Sequence, residues 1–152
     1  MRHSSRFRSW MSLVSLLALV ALLATAATAL AANPVKGAKY SGTINANGGL
    51  AISFKVTSTG KNVVRMKVPQ PPIFCSGGGP PPPQIPANPA RVSSTGTFKE
   101  TLKYGSIGSI VATLKVTGAF HAHRKESGKV TVSWSADTSC NGSAGYSTRA
   151  PR

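Results

Sequence analysis

The run Ile110-Val111-Ala112-Thr113-Leu114-Lys115-Val116-Thr117 decides how this chain folds. Its apolar residues Ile110, Ala112, Leu114 and Val116 alternate with Thr113, Lys115 and Thr117. A period of two puts every second side chain on one face of an extended strand. The parity runs on through Phe120 and Ala122. Working outward, Glu126-Ser127-Gly128 reads as a turn. Val130, Val132, Trp134 and Ala136 then alternate with Thr131, Ser133 and Ser135, and Ser143 to Arg149 reads as a last short strand carrying Tyr146. Upstream, Phe98, Leu102 and Tyr104 alternate with Lys99 and Lys103 before a turn at Gly105 to Gly108. Further back, Leu50, Ile52, Phe54 and Val56 alternate with Ser53, Lys55 and Thr57. Asn47-Gly48-Gly49 is a hairpin signal pairing that strand with Tyr40 to Asn45. After a turn at Thr59 to Asn62, Val64, Met66 and Val68 alternate with Arg65 and Lys67. No amphipathic helix of useful length is present. The expected fold is all-β, an antiparallel β-sandwich or flattened barrel of about 7–8 strands.

Residues 69–90 break the pattern. They hold nine of the 11 prolines, including Pro80 to Pro83, together with the triplet Gly77-Gly78-Gly79. Proline has no N–H to give to a sheet and breaks a helix, so a long loop with extended polyproline parts is expected here. The triplet is no phosphate loop, because no Gly-Lys-Ser/Thr follows it. Three glycines, Gly42, Gly96 and Gly118, each stand two residues before a core candidate and are expected to mark bulges.

The first 31 residues read as a secretory signal: Arg2, Arg6 and Arg8, then an apolar run from Leu13 to Leu23, then Ala29-Leu30-Ala31 as a small-x-small cleavage site. The competing reading is an uncleaved N-terminal membrane anchor, since Trp10 to Ala32 is long enough to span a bilayer. Residues 32–38 then form a short leader and residues 39–150 one β domain, with no integral membrane segment after cleavage. Beyond Ala31 the chain carries 15 Lys and Arg against Glu100, Glu126 and Asp137, a net charge of +12. Such an excess favours acidic partners outside the cell, an envelope polymer or acidic polysaccharide. Cys75 and Cys140 are an even pair in an exported chain, which favours a disulfide.

Tyr40-Ser41-Gly42-Thr43, Ile52-Ser53-Phe54-Lys55-Val56, the later Gly-x-Phe strand, the Glu126-Ser127-Gly128 hairpin and a second Cys followed by Gly and an aromatic together resemble a group of small secreted all-β bacterial proteins, many of them actinobacterial. The resemblance covers residues 39–150. Tyr146 stands where the last strand of that group usually carries Trp. It implies the fold and the extracellular compartment, and it supplies no catalytic residues or cofactor.

Catalysis is not expected. Paired-carboxylate hydrolysis needs two acids facing one bond, and Glu126 and Asp137 flank one hairpin near its opposite ends. No Gly-x-Ser-x-Gly elbow exists for a Ser-His-Asp arrangement. His121 and His123 are expected to point outward together and are weak metal candidates, with Glu126 as a third ligand if the hairpin bends back. By parity Lys55, Arg65, Lys67, Lys99, Lys103, Lys115 and His121 lie opposite the core, a basic face suited to an extended polyanion. Phe54, Phe98, Phe120 and Trp134 have core parity, leaving Tyr40, Phe74 and Tyr146 as the exposed aromatic candidates. So thin a set excludes sequence-specific nucleic-acid recognition by base stacking. The expected role is a secreted, non-enzymatic binding or structural module that contacts acidic polymer. The alternatives are a protein-interaction module presenting the Pro-rich loop, and a weak metal-binding protein or hydrolase using His121 and His123.

Overall fold

The computed structural model describes residues 32–74 and 80–152. Residues 1–31, the stretch expected to be a secretory signal, and Cys75 lie outside the described residues. The nine strands among the described residues are β1 (Lys39–Ile44), β2 (Leu50–Val56), β3 (Asn62–Lys67), β4 (Gln84–Ile85), β5 (Ala90–Arg91), β6 (Thr97–Ser106), β7 (Ser109–His121), β8 (Lys125–Trp134) and β9 (Gly142–Arg149). A 3-10 turn, Thr138–Cys140, precedes β9. All nine belong to one antiparallel sheet in the order β4-β6-β7-β8-β9-β1-β2-β3-β5, curled into a half-barrel. The all-β expectation holds. The observed form is one curled sheet, not two stacked ones, and β4 and β5, formed within and at the end of the Pro-rich segment, are not among the expected strands. No helix among the described residues is long and apolar enough to cross a membrane.

The architecture is two meanders joined edge to edge. β1-β2-β3 and β6-β7-β8-β9 each follow from short turns, and β1 pairs with β9 to make them one sheet. The Pro-rich segment spans the remaining gap. β4 pairs with β6, and six residues later β5 pairs with β3. Two-residue strands at a sheet edge are where proline is tolerated, since the missing N–H then costs no ladder bond. Gln84 adds a side-chain clasp across the seam. Its Nε2 donates to the Met66 carbonyl at 2.7 Å, and its Oε1 accepts from the Val68 N–H at 2.9 Å. Tyr104 Oη donates to the Val68 carbonyl at 2.8 Å. The same segment is held down again at Asn47 and at Trp134, which lies in the same cross-strand row as Gln84. Asn47 exchanges two hydrogen bonds with the Ile73 backbone, and Trp134 Nε1 donates to the Pro72 carbonyl at 3.2 Å.

The alternating residues of every long strand meet inside. Tyr40, Phe54, Phe98 and Phe120 form the centre of the core, with Tyr40 and Phe54 stacked at 5.2 Å. Ile52, Val56, Leu102, Tyr104, Leu114, Val116, Val130 and Val132 extend it. Tyr40 and Tyr146 are therefore core residues, not exposed rings, and Phe74 is the one large aromatic of the expected exposed set that is exposed. Trp134 is half-buried against the core, and Ala136 lies past the end of β8 in the open. The leader is not a free tail: Pro34 is buried, Ala32 N donates to the Phe120 carbonyl, and Val35 N donates to Tyr40 Oη.

Parity is wrong by one residue in β3, where Val63 is buried and Val64 only half-buried. The β2–β3 register shifts between Ser53 and Lys55, and Arg65 sits at φ +54, so a bulge absorbs one residue and returns Met66 and Val68 to the core. A second shift lies at Tyr104/Gly105. The bulges are thus at these two places and not at Gly42, Gly96 and Gly118. Gly118 has another reason: a Cβ there would run into Glu126 Oε1, Tyr146 Oη and a ring carbon of Phe98.

Candidate functional site

The hairpin between β7 and β8 turns at Ala122-His123-Arg124, with His123 and Arg124 at φ +59 and +62. The expected turn at Glu126-Ser127-Gly128 is therefore displaced, and those residues belong to β8. Two left-handed residues in succession match the twist of the flanking strands, although Asn-Gly is the usual choice. The displacement sends Glu126 inward, where it is 1% exposed. Tyr146 Oη donates to Glu126 Oε1 at 2.7 Å, and Thr148 Oγ1 donates to Oε2 at 2.6 Å. Burial pushes the Glu126 carboxyl up to about 7, against the opposing pull of those two donors. Burial likewise raises the Tyr146 hydroxyl, helped by the neighbouring carboxyl.

The displacement also separates the two imidazoles. His121 ends β7 half-buried, with Nε2 at 2.8 Å from Ser127 Oγ, while His123 stands exposed on the turn. They do not share a strand face, and Glu126 points to the opposite side of the sheet. Among the described residues no three His, Cys, Asp or Glu side chains are grouped closely enough to hold a metal.

All six expected anion-binding cations, Lys55, Arg65, Lys67, Lys99, Lys103 and Lys115, are exposed. Strand order divides them. Lys99, Lys103 and Lys115 lie on β6 and β7, and Lys55, Arg65 and Lys67 on β2 and β3. Between them run β8, β9 and β1, which carry Lys125, Lys129, Arg149 and Lys39, all exposed as well. These four bridge the halves; in the sequence Lys125 and Lys129 flank the misplaced turn, Lys39 and Arg149 stand at strand ends, and no local pattern joins them.

Register turns this face into ordered rows. His121, Lys125, Arg149, Ser41, Ser53 and Lys67 are successive cross-strand partners on β7, β8, β9, β1, β2 and β3. With strands about 4.8 Å apart, that row is about 24 Å long. The next row is small throughout: Thr97, Ala119, Ser127, Ser147, Thr43 and Ala51. Lys99, Thr117, Lys129 and Gly145 form the row beyond it. Where the first two rows meet, a hollow of about 490 Å3 is lined by His121, Lys125, Arg149, Ser127, Ser147 and Thr43, among others. A second hollow of about 540 Å3 adjoins it, shares Lys125 and Arg149, and adds His123, Arg124 and Arg152. Arg124 is held there by a hydrogen bond from Nη1 to the Pro151 carbonyl.

The three carboxylates lie elsewhere. Glu126 is inside. Glu100 has core parity between Phe98 and Leu102, and burial raises its carboxyl, partly offset by the Thr101 N–H. Asp137 caps the 3-10 turn, where hydrogen bonds from the Ser139 hydroxyl and N–H hold it below the usual carboxylate range. The chain matches no protein-family model, no curated protein and no solved structure in comparison.

Proposed function

We propose that this is a secreted, non-enzymatic module that binds linear acidic polymer of the cell envelope or its surroundings through the outer face of its curled sheet. One observation carries the reading: that face bears ten Lys and Arg side chains on its strands β1 to β3 and β6 to β9 and no carboxylate. A face kept merely soluble would serve with mixed charges, whereas segregation of all acids from it creates an attractive field for polyanions. Aromatic rings are spent on the core, so neither base stacking nor sugar stacking is the mode of contact. The resemblance to small secreted bacterial proteins agrees with this compartment.

A Cys75–Cys140 disulfide belongs to the same reading. It is supported by Phe74, the residue before Cys75, whose ring occupies the space a Cβ on Gly142 would need, two residues past the buried Cys140. The alternative of a Pro-rich loop presented to a protein partner is less favoured, since Pro71 and Pro72 are buried and residues 84–91 close the sheet seam.

The test is retention of the full-chain protein on an immobilised acidic polymer across a salt series. Binding should fall steeply and log-linearly with salt, as release of condensed counterions requires. Absence of binding at low salt, or binding indifferent to salt, rejects the proposal.

A further inference from the structure

We infer that the hollow between His121, Lys125 and Arg149 is a discrete site for one tetrahedral oxyanion, a phosphate or sulfate ester group. The inference rests on the polymer-binding reading above and assigns its recognition point.

The first ground is an electrostatic cost with no internal remedy. Lys125 and Arg149 are directly opposed on neighbouring strands, and His121 is directly opposed to Lys125. Like charges facing each other across a strand pair destabilise a sheet. The one acidic residue on these strands, Glu126, also borders the hollow, but its side chain is buried and its two carboxyl oxygens are bonded to Tyr146 and Thr148. An anion seated between the cations converts that repulsion into attraction.

The second ground is the donor set. Lys125, Arg149 and His121 line the hollow together with Ser127 and Ser147, so an ammonium, a guanidinium, an imidazole and two hydroxyl side chains come to it from three adjacent strands. Ser127 Oγ and His121 Nε2 form one hydrogen bond whose direction is free to reverse. With an imidazolium at His121, Ser127 accepts that bond and turns its own proton toward the hollow. Donors arriving from three strands surround a group with oxygens in all directions. A planar carboxylate, with its acceptor positions in one plane, leaves some of them unused. Arg and Lys with Ser and Thr hydroxyls are also the usual company of phosphate oxygens.

The experiment measures binding of the full-chain protein to a phosphodiester polymer, a sulfated glycan and a polyuronate of matched charge. Lys125→Ala, Arg149→Ala and Lys103→Ala are compared, and the His121 imidazole signals are followed by NMR during titration with inorganic phosphate or sulfate. We expect Lys125→Ala and Arg149→Ala each to weaken binding of both ester polymers by about tenfold, as loss of a charge-assisted hydrogen bond does. Lys103→Ala should cost only about twofold, one diffuse charge on the same face. Phosphate or sulfate should shift His121 before His123. Melting temperatures of the two hollow variants should not fall, because each relieves a like-charge contact. Equal losses for all three lysine and arginine variants would overturn the discrete site while leaving polymer binding intact. Equal affinity for the polyuronate would overturn the tetrahedral class. If none of the three polymers binds at low salt, the functional reading itself falls. The phosphate and sulfate arms decide which ester is preferred.

Discussion

Raising the pH should destabilise this protein through one buried group. Glu126 is 1% exposed, and its carboxyl sits near 7 against an ordinary value of 4.5. The folded state therefore holds a proton that the unfolded chain releases at lower pH. A raised folded value means that the contribution is fully present below about 4.5 and is lost progressively as pH rises through about 7. The whole displacement corresponds to about 3 kcal/mol. That is a large part of the total stability of a domain this size. The measurement is urea unfolding at intervals from pH 4.5 to 9, on the full chain and on Glu126→Gln. The glutamine keeps an acceptor for one hydroxyl and offers a donor to the other, which Tyr146 or Thr148 can accept by rotating its proton. It cannot ionise. The difference between the two stability curves isolates Glu126 from every other titrating group. We expect the wild type to lose about 3 kcal/mol relative to the variant between the two ends of the range. Parallel curves would refute the reasoning, since they would mean that the carboxyl ionises in the fold as easily as in the open chain.

Two further changes probe how the sheet is held. Gln84→Ala removes both hydrogen bonds of the seam clasp and should cost about 2 kcal/mol in urea unfolding, with faster hydrogen exchange at the Val68 amide. An unchanged exchange rate there would mean that the clasp is not made. Trp134→Ala should cost about 2 kcal/mol, below the range for a fully enclosed ring, because Trp134 is only half-buried and loses one bond to Pro72. A loss under about 0.5 kcal/mol would show that the indole packs on nothing that persists in solution.

The long strands were readable because their inner faces are buried, and burial is what imposes a period of two. β2, β6, β7 and β8 all come from that signal, as does the inward set from Phe98 to Val132, whereas β9, poor in apolar residues, shows no such period and its Tyr146 is taken for an exposed ring. Where something other than burial sets the backbone, the reading slips. The bulge at Arg65 shifts parity in β3 and exchanges Val63 for Val64. The β7–β8 turn uses His123 and Arg124 in left-handed conformations where Gly or Asn would advertise it, so Glu126 is taken for a turn residue. β4 and β5 cannot be seen at all, since two-residue strands carry no period and their prolines argue against any strand. The pairing of β1 with β9 is a long-range fact that no local pattern encodes. Without it, the basic residues of β2 and β3 cannot be joined to those of β6 and β7. Lys125, Lys129, Arg149 and Lys39 stay invisible as a set for the same reason.

The alternation that defines a strand also explains how one residue step yields two opposite electrostatic environments. Lys125 and Glu126 are neighbours on β8, yet one stands in water and the other among aromatic rings. Because their side chains leave opposite faces, the carboxylate cannot fold back to neutralise the ammonium. Enclosure then keeps the carboxyl protonated below about 7, so even its field across the sheet is largely absent. Lys125 and Arg149 therefore face each other on the outer side with no carboxylate between them. A sheet that buried an apolar residue at position 126 would present the same cations, but it would lose the two hydroxyl bonds that draw Tyr146 and Thr148 of β9 against β8. Those bonds add to the backbone ladder in tying β9 to β8 beside the position where Lys125 and Arg149 face each other on the outer face.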